Sequence, residues 1–229
     1  GLKASAQLMI TGGTFSLDTA DDALHSNGDI SISGGTYTIA TGDDGIHADN
    51  AVTITDCDLT IADSYEGIEG LSIDISGGTI SVKASDDGLN AAGGADSSGF
   101  GGRGGDAFAV TDEACITISG GTLTVDADGD GLDSNGDLRI TGGVTYVAGS
   151  TSGADSALDY NGEAEISGGT FAATGTVGMA STFGDSSTQA SMLIALSPDS
   201  TPCTITVLDA DGTELFSWDS TKNFSSVLF

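Results

Sequence analysis

The sequence predicts an all-β chain, a right-handed parallel β-helix with about 22 residues and three short strands per coil and a small antiparallel C-terminal cap. Three observations carry this: a recurring acidic turn, a recurring Gly-Gly corner, and apolar residues that alternate in short bursts between them. The acidic turn is seen best in Asp43-Asp44-Gly45-Ile46-His47. Copies start at Asp21, Tyr65, Asp86, Gly129 and Asp155. The Gly-Gly corner stands at Gly12, Gly34, Gly77, Gly120, Gly142 and Gly168, with Asp56 in the equivalent place of one copy. Successive corners are 22, 22, 21, 43, 22 and 26 residues apart, which makes a repeat with one large insertion after Asn90 and a small one before Asp155.

Within a repeat the apolar residues fall in three period-two bursts, such as Ile30 and Ile32, Tyr37 and Ile39, then Ile46. Gly-Gly or Asp-Asp-Gly separates the bursts, so each is a short strand ended by a tight turn. No segment has helical spacing. Three such strands cannot bury their own apolar faces, but stacked coils put like residue on like residue. Phe15, Tyr37, Leu59, Ile80 and Leu123 then form one interior column, and Leu24, Ile46, Ile68, Leu89, Leu132 and Leu158 another. Rungs are expected about 4.8 Å apart, with the hand usual for parallel crossovers. A β-sandwich of hairpins would show strand spacing without this vertical identity.

The repeat occupies residues 1–175 and dissolves beyond them. Residues 176–229 hold four bursts, 190–196, 203–208, 214–218 and 224–229, with Asp209-Ala210-Asp211-Gly212 as a hairpin turn between the middle pair. They read as an antiparallel cap over the exposed end of the solenoid. The insertion at about 91–113 is rich in Gly and Ser. It reads either as a featureless surface loop or as a flap over the acidic turns, with Phe100 and Phe108 for sugar stacking and Arg103 for a carboxylate.

Composition narrows the function. Asp and Glu number 34 against 5 Lys and Arg, a formal net charge of −29 over 229 residues. Such acidity argues strongly against nucleic acid and anionic membrane surfaces as direct partners. The three cysteines, Cys57, Cys115 and Cys203, sit at unrelated phases of the repeat and suggest neither a disulfide framework nor a thiolate metal site. No apolar run has the length of a membrane span. A monomer in a secreted or cell-surface setting is expected.

Stacking also aligns the acids. Asp22, Asp44, Glu66, Asp87 and Asp130 form one column; Asp21, Asp43, Asp86 and Asp155 form the column before it; and His25, His47, Glu69, Asn90, Asp133 and Asp159 form the column three residues on. Two carboxylates one rung apart repel by about 0.9 kcal/mol in water and about 3.5 kcal/mol at an effective dielectric of 20. A single Asp-Gly is adequately explained as a turn that bonds its own backbone. A triple column asks for cations, and oxygen donors on turns suit calcium before magnesium. Zinc would want grouped histidines or thiols. The run from Asp126 through Asp128 and Asp130 to Asp137 matches an EF-hand loop by spacing, yet it lies on the repeat without flanking helices, so only its oxygen cluster is retained.

Ile-Ser-Gly-Gly-Thr at 32–36, 75–79, 118–122 and 166–170, Asp-Asp-Gly-Ile-His-Ala-Asp at 43–49, the insertion from Asn90 to Phe108, and Asp128-Gly-Asp-Gly-Leu-Asp-Ser-Asn-Gly136 together resemble the clostridial polysaccharide-lyase-like carbohydrate-binding proteins. The resemblance runs from about Leu8 through the tail. It implies a calcium-carrying β-helix that binds cellulose and acidic sugars such as polygalacturonate. The Asp-Asp-Gly-Ile/Leu core is also similar to the calcium motif of family 9 pectate lyases, in which two adjacent Asp and the residue three further on hold the ion. By position this implies Asp43, Asp44 and His47; Asp86, Asp87 and Asn90; Asp130 with Asp133; and Asp155 with Asp159. Glu66, Glu69 and Asp128 complete the candidate metal set. His47 and Asn90 depart from the lyase motif, which has Asp there.

Three functions follow: a non-catalytic, calcium-dependent binder of pectin or cellulose, a pectate lyase, and a calcium-stiffened stalk. A lyase needs a basic residue near the metal to take the C5 proton. By their phase in the repeat Lys3, Lys83, Arg103, Arg139 and Lys222 are expected outside the three acidic columns, so a binding protein is the expectation. Tyr65 and Tyr160, in or beside the columns, are the aromatic candidates for sugar contact.

Overall fold

The computed structural model describes residues 1–92 and 113–229. Among these residues there is no helix, and the chain winds as seven stacked coils. Each coil contributes one strand to each of three parallel sheets. Sheet A stacks Leu2–Ala4, Leu24–Ser26, Ile46–Ala48, Ile68–Glu69, Leu89–Ala91, Leu132–Ser134 and Leu158–Tyr160. Sheet B runs from Gln7–Ile10 to Ala164–Ile166, and the parallel part of sheet C from Thr14–Thr19 to Thr170–Gly175. The register is that of the repeat: Ile46 lies between Leu24 and Ile68, and Ile80 between Leu59 and Leu123.

The interior is a continuous apolar column, with Leu24, Ile46, Ile68, Leu89 and Leu132 completely buried. Two glycine positions let the coils close. In the Gly-Gly corner the second residue takes positive φ, at 110° in Gly35, 94° in Gly78 and 80° in Gly121, a region closed to most side chains. In the acidic turn the glycine makes room for the next coil. A Cβ on Gly88 would stand 2.2 Å from Val125 Cγ1 and 2.5 Å from the Gly131 carbonyl oxygen. The column of Tyr37, Leu59, Ile80 and Leu123 is interrupted at Thr145, which sits between Leu123 and Phe171 with its Oγ1 buried and without a hydrogen-bond partner among the described residues.

The C-terminal segment is antiparallel, as its four bursts predict, but it caps only in part. Phe224–Leu228 pairs with Thr170–Gly175, and Leu193–Ser200 pairs with Phe224–Leu228, so two strands prolong sheet C past the last coil. The hairpin of Thr204–Leu208 and Glu214–Asp219 lies against the outer face of sheet C instead. There Trp218 stacks on Tyr146 at 5.9 Å, forming a second small core with Ala172, Phe224 and Val227. Outward-facing Tyr146 and Ala172, where earlier coils carry Ser or Thr, supply its apolar footing. The three cysteines are free.

Candidate functional site

The acidic turns link sheet C to sheet A and stack along one edge of the solenoid. Each backbone reaches into the next coil: the Asp44 amide donates to Asp22 Oδ1 at 3.2 Å, Glu66 to Asp44 Oδ1 at 3.2 Å, Asp130 to Asp87 Oδ1 at 2.6 Å, and Ser156 to Asp130 Oδ1 at 2.5 Å. One oxygen of each aspartate therefore secures the neighbouring turn. The second oxygen takes no part in holding that turn.

Three groups of side chains gather. Asp87, Asp130 and Asp133 bring one carboxylate oxygen each within 4.8 Å of one another; Asp44, His47 and Glu69 do the same, as do Asp21, Asp22 and Asp43. In the first group burial, then the charges of Asp133, Asp86 and Asp130, push the Asp87 carboxyl up to about 8. Burial and then Asp130, Asp159 and Asp86 raise Asp133 to about 7. Burial also leads for Asp130, which reaches about 6 although the Ser156 amide hydrogen bond opposes the rise. Among the described residues no Lys, Arg or His nitrogen pairs with these three carboxylates.

Asn90 stands on the rung between Glu69 and Asp133. Its Nδ2 donates to Glu66 Oε2 at 3.0 Å, while its Oδ1 is buried with no donor among the described residues. A buried orphan carbonyl is costly unless a cation or donor completes it. Gly129 is part of the same design, because a Cβ there would lie 2.4 Å from Asp87 Oδ1 and 2.7 Å from Asp86 Oδ1. Clustered carboxylate oxygens beside an unsatisfied amide oxygen fit a hard cation with flexible geometry.

The second group is organised differently. His47 is completely buried, with Nδ1 at 2.5 Å from Glu69 Oε2 and 3.4 Å from Asp44 Oδ2, and Nε2 at 3.3 Å from Asp49 Oδ1. Burial alone would lower its pKa, but the adjoining carboxylates of Asp44 and Glu69 outweigh that and push it up to about 11, while Asp44 Oδ2 is itself buried without a hydrogen-bond partner among the described residues. Glu69 is raised by burial, against the pull of His47, to about 7. Glu66, buried among Glu69, Asp44 and Asp87, is raised well above the usual carboxylate range. His25 stacks on His47 at 5.0 Å and bonds Asp22 Oδ2 at 2.6 Å.

The remaining candidates scatter. Asp86 lies beside the first group and close to Tyr65, whose hydroxyl pKa it raises together with burial. Tyr65 is one of the exposed large side chains. Asp43 is nearly buried in the third group. Asp155 approaches Ser150 Oγ at 3.4 Å, and Asp159 is exposed, next to Asp133 in register. Asp128 is not brought into any group: it is exposed, and Lys222 Nζ binds its Oδ1 at 2.9 Å and Asp126 Oδ1 at 2.7 Å. Tyr160 is half-buried and donates its hydroxyl to the Thr182 carbonyl at 2.6 Å. Phe100, Arg103 and Phe108, and with them the flap reading, lie outside the described residues.

The expectation that no basic residue enters the columns is corrected at Lys3. Leu2–Ala4 is the first rung of sheet A and places Lys3 directly over His25. Of the turn motif only Gly1-Leu2 stands before Lys3 in this sequence, too little to mark its phase. Lys222 is a second cation at the edge of the acidic face, delivered by the non-repeating tail. Arg139 is exposed and bound to Asp137, away from the acidic turns, as expected.

No curated protein and no solved structure matches the chain. A family model does, over residues 1–45 and 45–212, nearly the whole length. With seven parallel coils and a stacked acidic edge, the chain belongs to the family of carbohydrate-binding domain-containing proteins.

Proposed function

We propose that this protein binds acidic plant cell-wall polysaccharide, de-esterified polygalacturonate foremost, through calcium held on its acidic edge, and that it does so without cleaving the polymer. The observation that carries this reading is the Asp87, Asp130 and Asp133 cluster beside the orphan Asn90 Oδ1. A face of this charge repels a uronate chain, and calcium supplies the positive charge that carboxylates of protein and polymer can share. Asp87, Asp130, Asp133 and Asn90 would hold the ion, with Gly129 keeping the space around Asp86 and Asp87 clear. Tyr65, exposed beside Asp86, offers a ring for sugar contact. The setting is secreted or cell-surface, where calcium and such polymers are met.

Lys3 above His25 is the feature that favours an eliminating enzyme instead. Retention on insoluble polygalacturonate, on methyl-esterified pectin and on cellulose, each with calcium and with chelator, tests the binding reading. Calcium-dependent retention that weakens with esterification is expected. Ultraviolet absorbance from unsaturated ends, above that of heat-killed protein, would replace binding by cleavage; no retention on any polymer leaves a calcium-stiffened stalk.

A further inference from the structure

The antiparallel extension of sheet C ends on a bare strand. Leu193–Ser200 pairs on one side with Phe224–Leu228 and, among the described residues, with no strand on the other. Just before it Met192 and Phe229 exchange both backbone hydrogen bonds, at 2.6 and 3.1 Å. By the alternation of antiparallel pairs, the N–H and C=O groups of Leu193 and Ala195 therefore point to the free edge. Side chains alternate as well, Leu193 and Ala195 to one face of the sheet, Met192 and Ile194 to the other. All four are nevertheless exposed, so the strand is open on both faces as well as along its edge. Val177 and Met179 are exposed too, and Ala180, next in the chain, lines one small cavity with Leu193.

Such a strand is a template for one more strand, and its own chemistry says which. Residues 186–198 carry no charge, in a chain of net charge −29. This is where a second, equally acidic molecule can approach without like charges meeting. An antiparallel edge is also its own complement. A twofold axis at Leu193 sets that residue against its own copy and Ser191 against Ala195, while Asp199 falls opposite Ser187 and meets no acid. A contact of this kind closes at two molecules, whereas pairing with a different edge would build an open filament. We infer that the protein forms a twofold dimer through the free edge of Leu193–Ser200, a second copy of this chain being the occupant. This departs from the monomer expected from the sequence and does not depend on the calcium reading. Backbone hydrogen bonds of Leu193 and Ala195 join the two C sheets into one, and Met192, Leu193 and Ile194 are covered. Elsewhere the two acidic bodies repel, so salt strengthens the dimer, the reverse of an association held by ion pairs.

Sedimentation velocity over a concentration series, in low and in high sodium chloride and with chelator throughout, tests this. A species of twice the chain mass is expected, in a share that grows with protein and with salt. Ala195→Pro removes an N–H that the fold leaves unused, at an edge position where proline is tolerated. Ile194→Lys puts a charge on the pairing strand. Each should weaken the dimer on the order of tenfold or more. Hydrogen exchange locates the contact: the amides of Leu193 and Ala195 should slow as concentration rises, and those of Thr14–Thr19, at the opposite end of sheet C, should not. A monomer under all conditions, a dimer that weakens with salt, or one that both folded variants form as strongly as the wild type overturns the inference. Should neither variant fold, exchange in the wild type decides. Rates at Leu193 and Ala195 that ignore concentration overturn it, fast ones because the edge stays bare and slow ones because the chain itself covers it.

Discussion

At the scale of single residues, the proposed calcium site would couple protons to the ion. Asp87 and Asp133 have folded-state pKa values raised to about 8 and about 7, well above the value of about 3.9 for a free Asp. The folded state therefore holds protons that the unfolded chain releases. By linkage, their stabilising contribution is complete below about pH 4 and is lost as pH rises through the folded values. In chelator the melting temperature should fall between pH 5 and pH 8 and in excess calcium this fall should largely vanish, since the ion replaces the proton. A melting temperature that rises with pH in chelator would contradict the burial of these carboxylates. Gly129→Ala places a methyl among the Asp86 and Asp87 oxygens. It is expected to weaken calcium binding on the order of tenfold, the effect usual for disturbed ligand support, read from a calcium titration. Thr145→Val removes a buried hydroxyl that has no partner, and denaturant unfolding should show a gain of about 1 kcal/mol or more.

At the scale of elements, each strand is held by the coil above and the coil below. Ile68 is completely buried between Ile46 and Leu89, so Ile68→Ala should cost about 2–5 kcal/mol in chemical denaturation. The C-terminal hairpin rests on its own small core, and Lys222 ties its trailing end to Asp126, Ala127 and Asp128. Trp218→Ala should free it, with about 3–5 kcal/mol of local docking lost. Limited proteolysis within residues 203–220 while the circular dichroism of the solenoid persists is the expected signature. Simultaneous loss of both signals would show that the two cores unfold as one.

At the scale of the whole molecule, what was legible in the sequence is what repeats. The strand phases, the interior columns and the pairing of Asp87 with Asp130 all follow from one spacing, because parallel stacking turns a period in sequence into a neighbour in space. Departures from the repeat were not legible. Lys3 follows only Gly1-Leu2 of the turn motif, and Lys222 reaches Asp128 across 94 residues of chain from a segment outside the repeat. The hairpin's lateral seat depends on Tyr146 and Ala172, two outward positions that only the tertiary contact explains. The contacts of His47 with Asp44, Glu69 and Asp49 likewise came only from the structure, since the spacing of the motif does not say which carboxylates a histidine meets.

Binding of de-esterified polygalacturonate at graded free calcium, compared between the wild type and Asp133→Asn, tests the proposed function most directly. Affinity for the wild type should rise with calcium, disappear in chelator and be lost or sharply reduced in the variant, whose fold is checked by its unchanged circular dichroism. Equal binding by both proteins, or binding that persists in chelator, would show that the acidic edge is not where the polysaccharide is held.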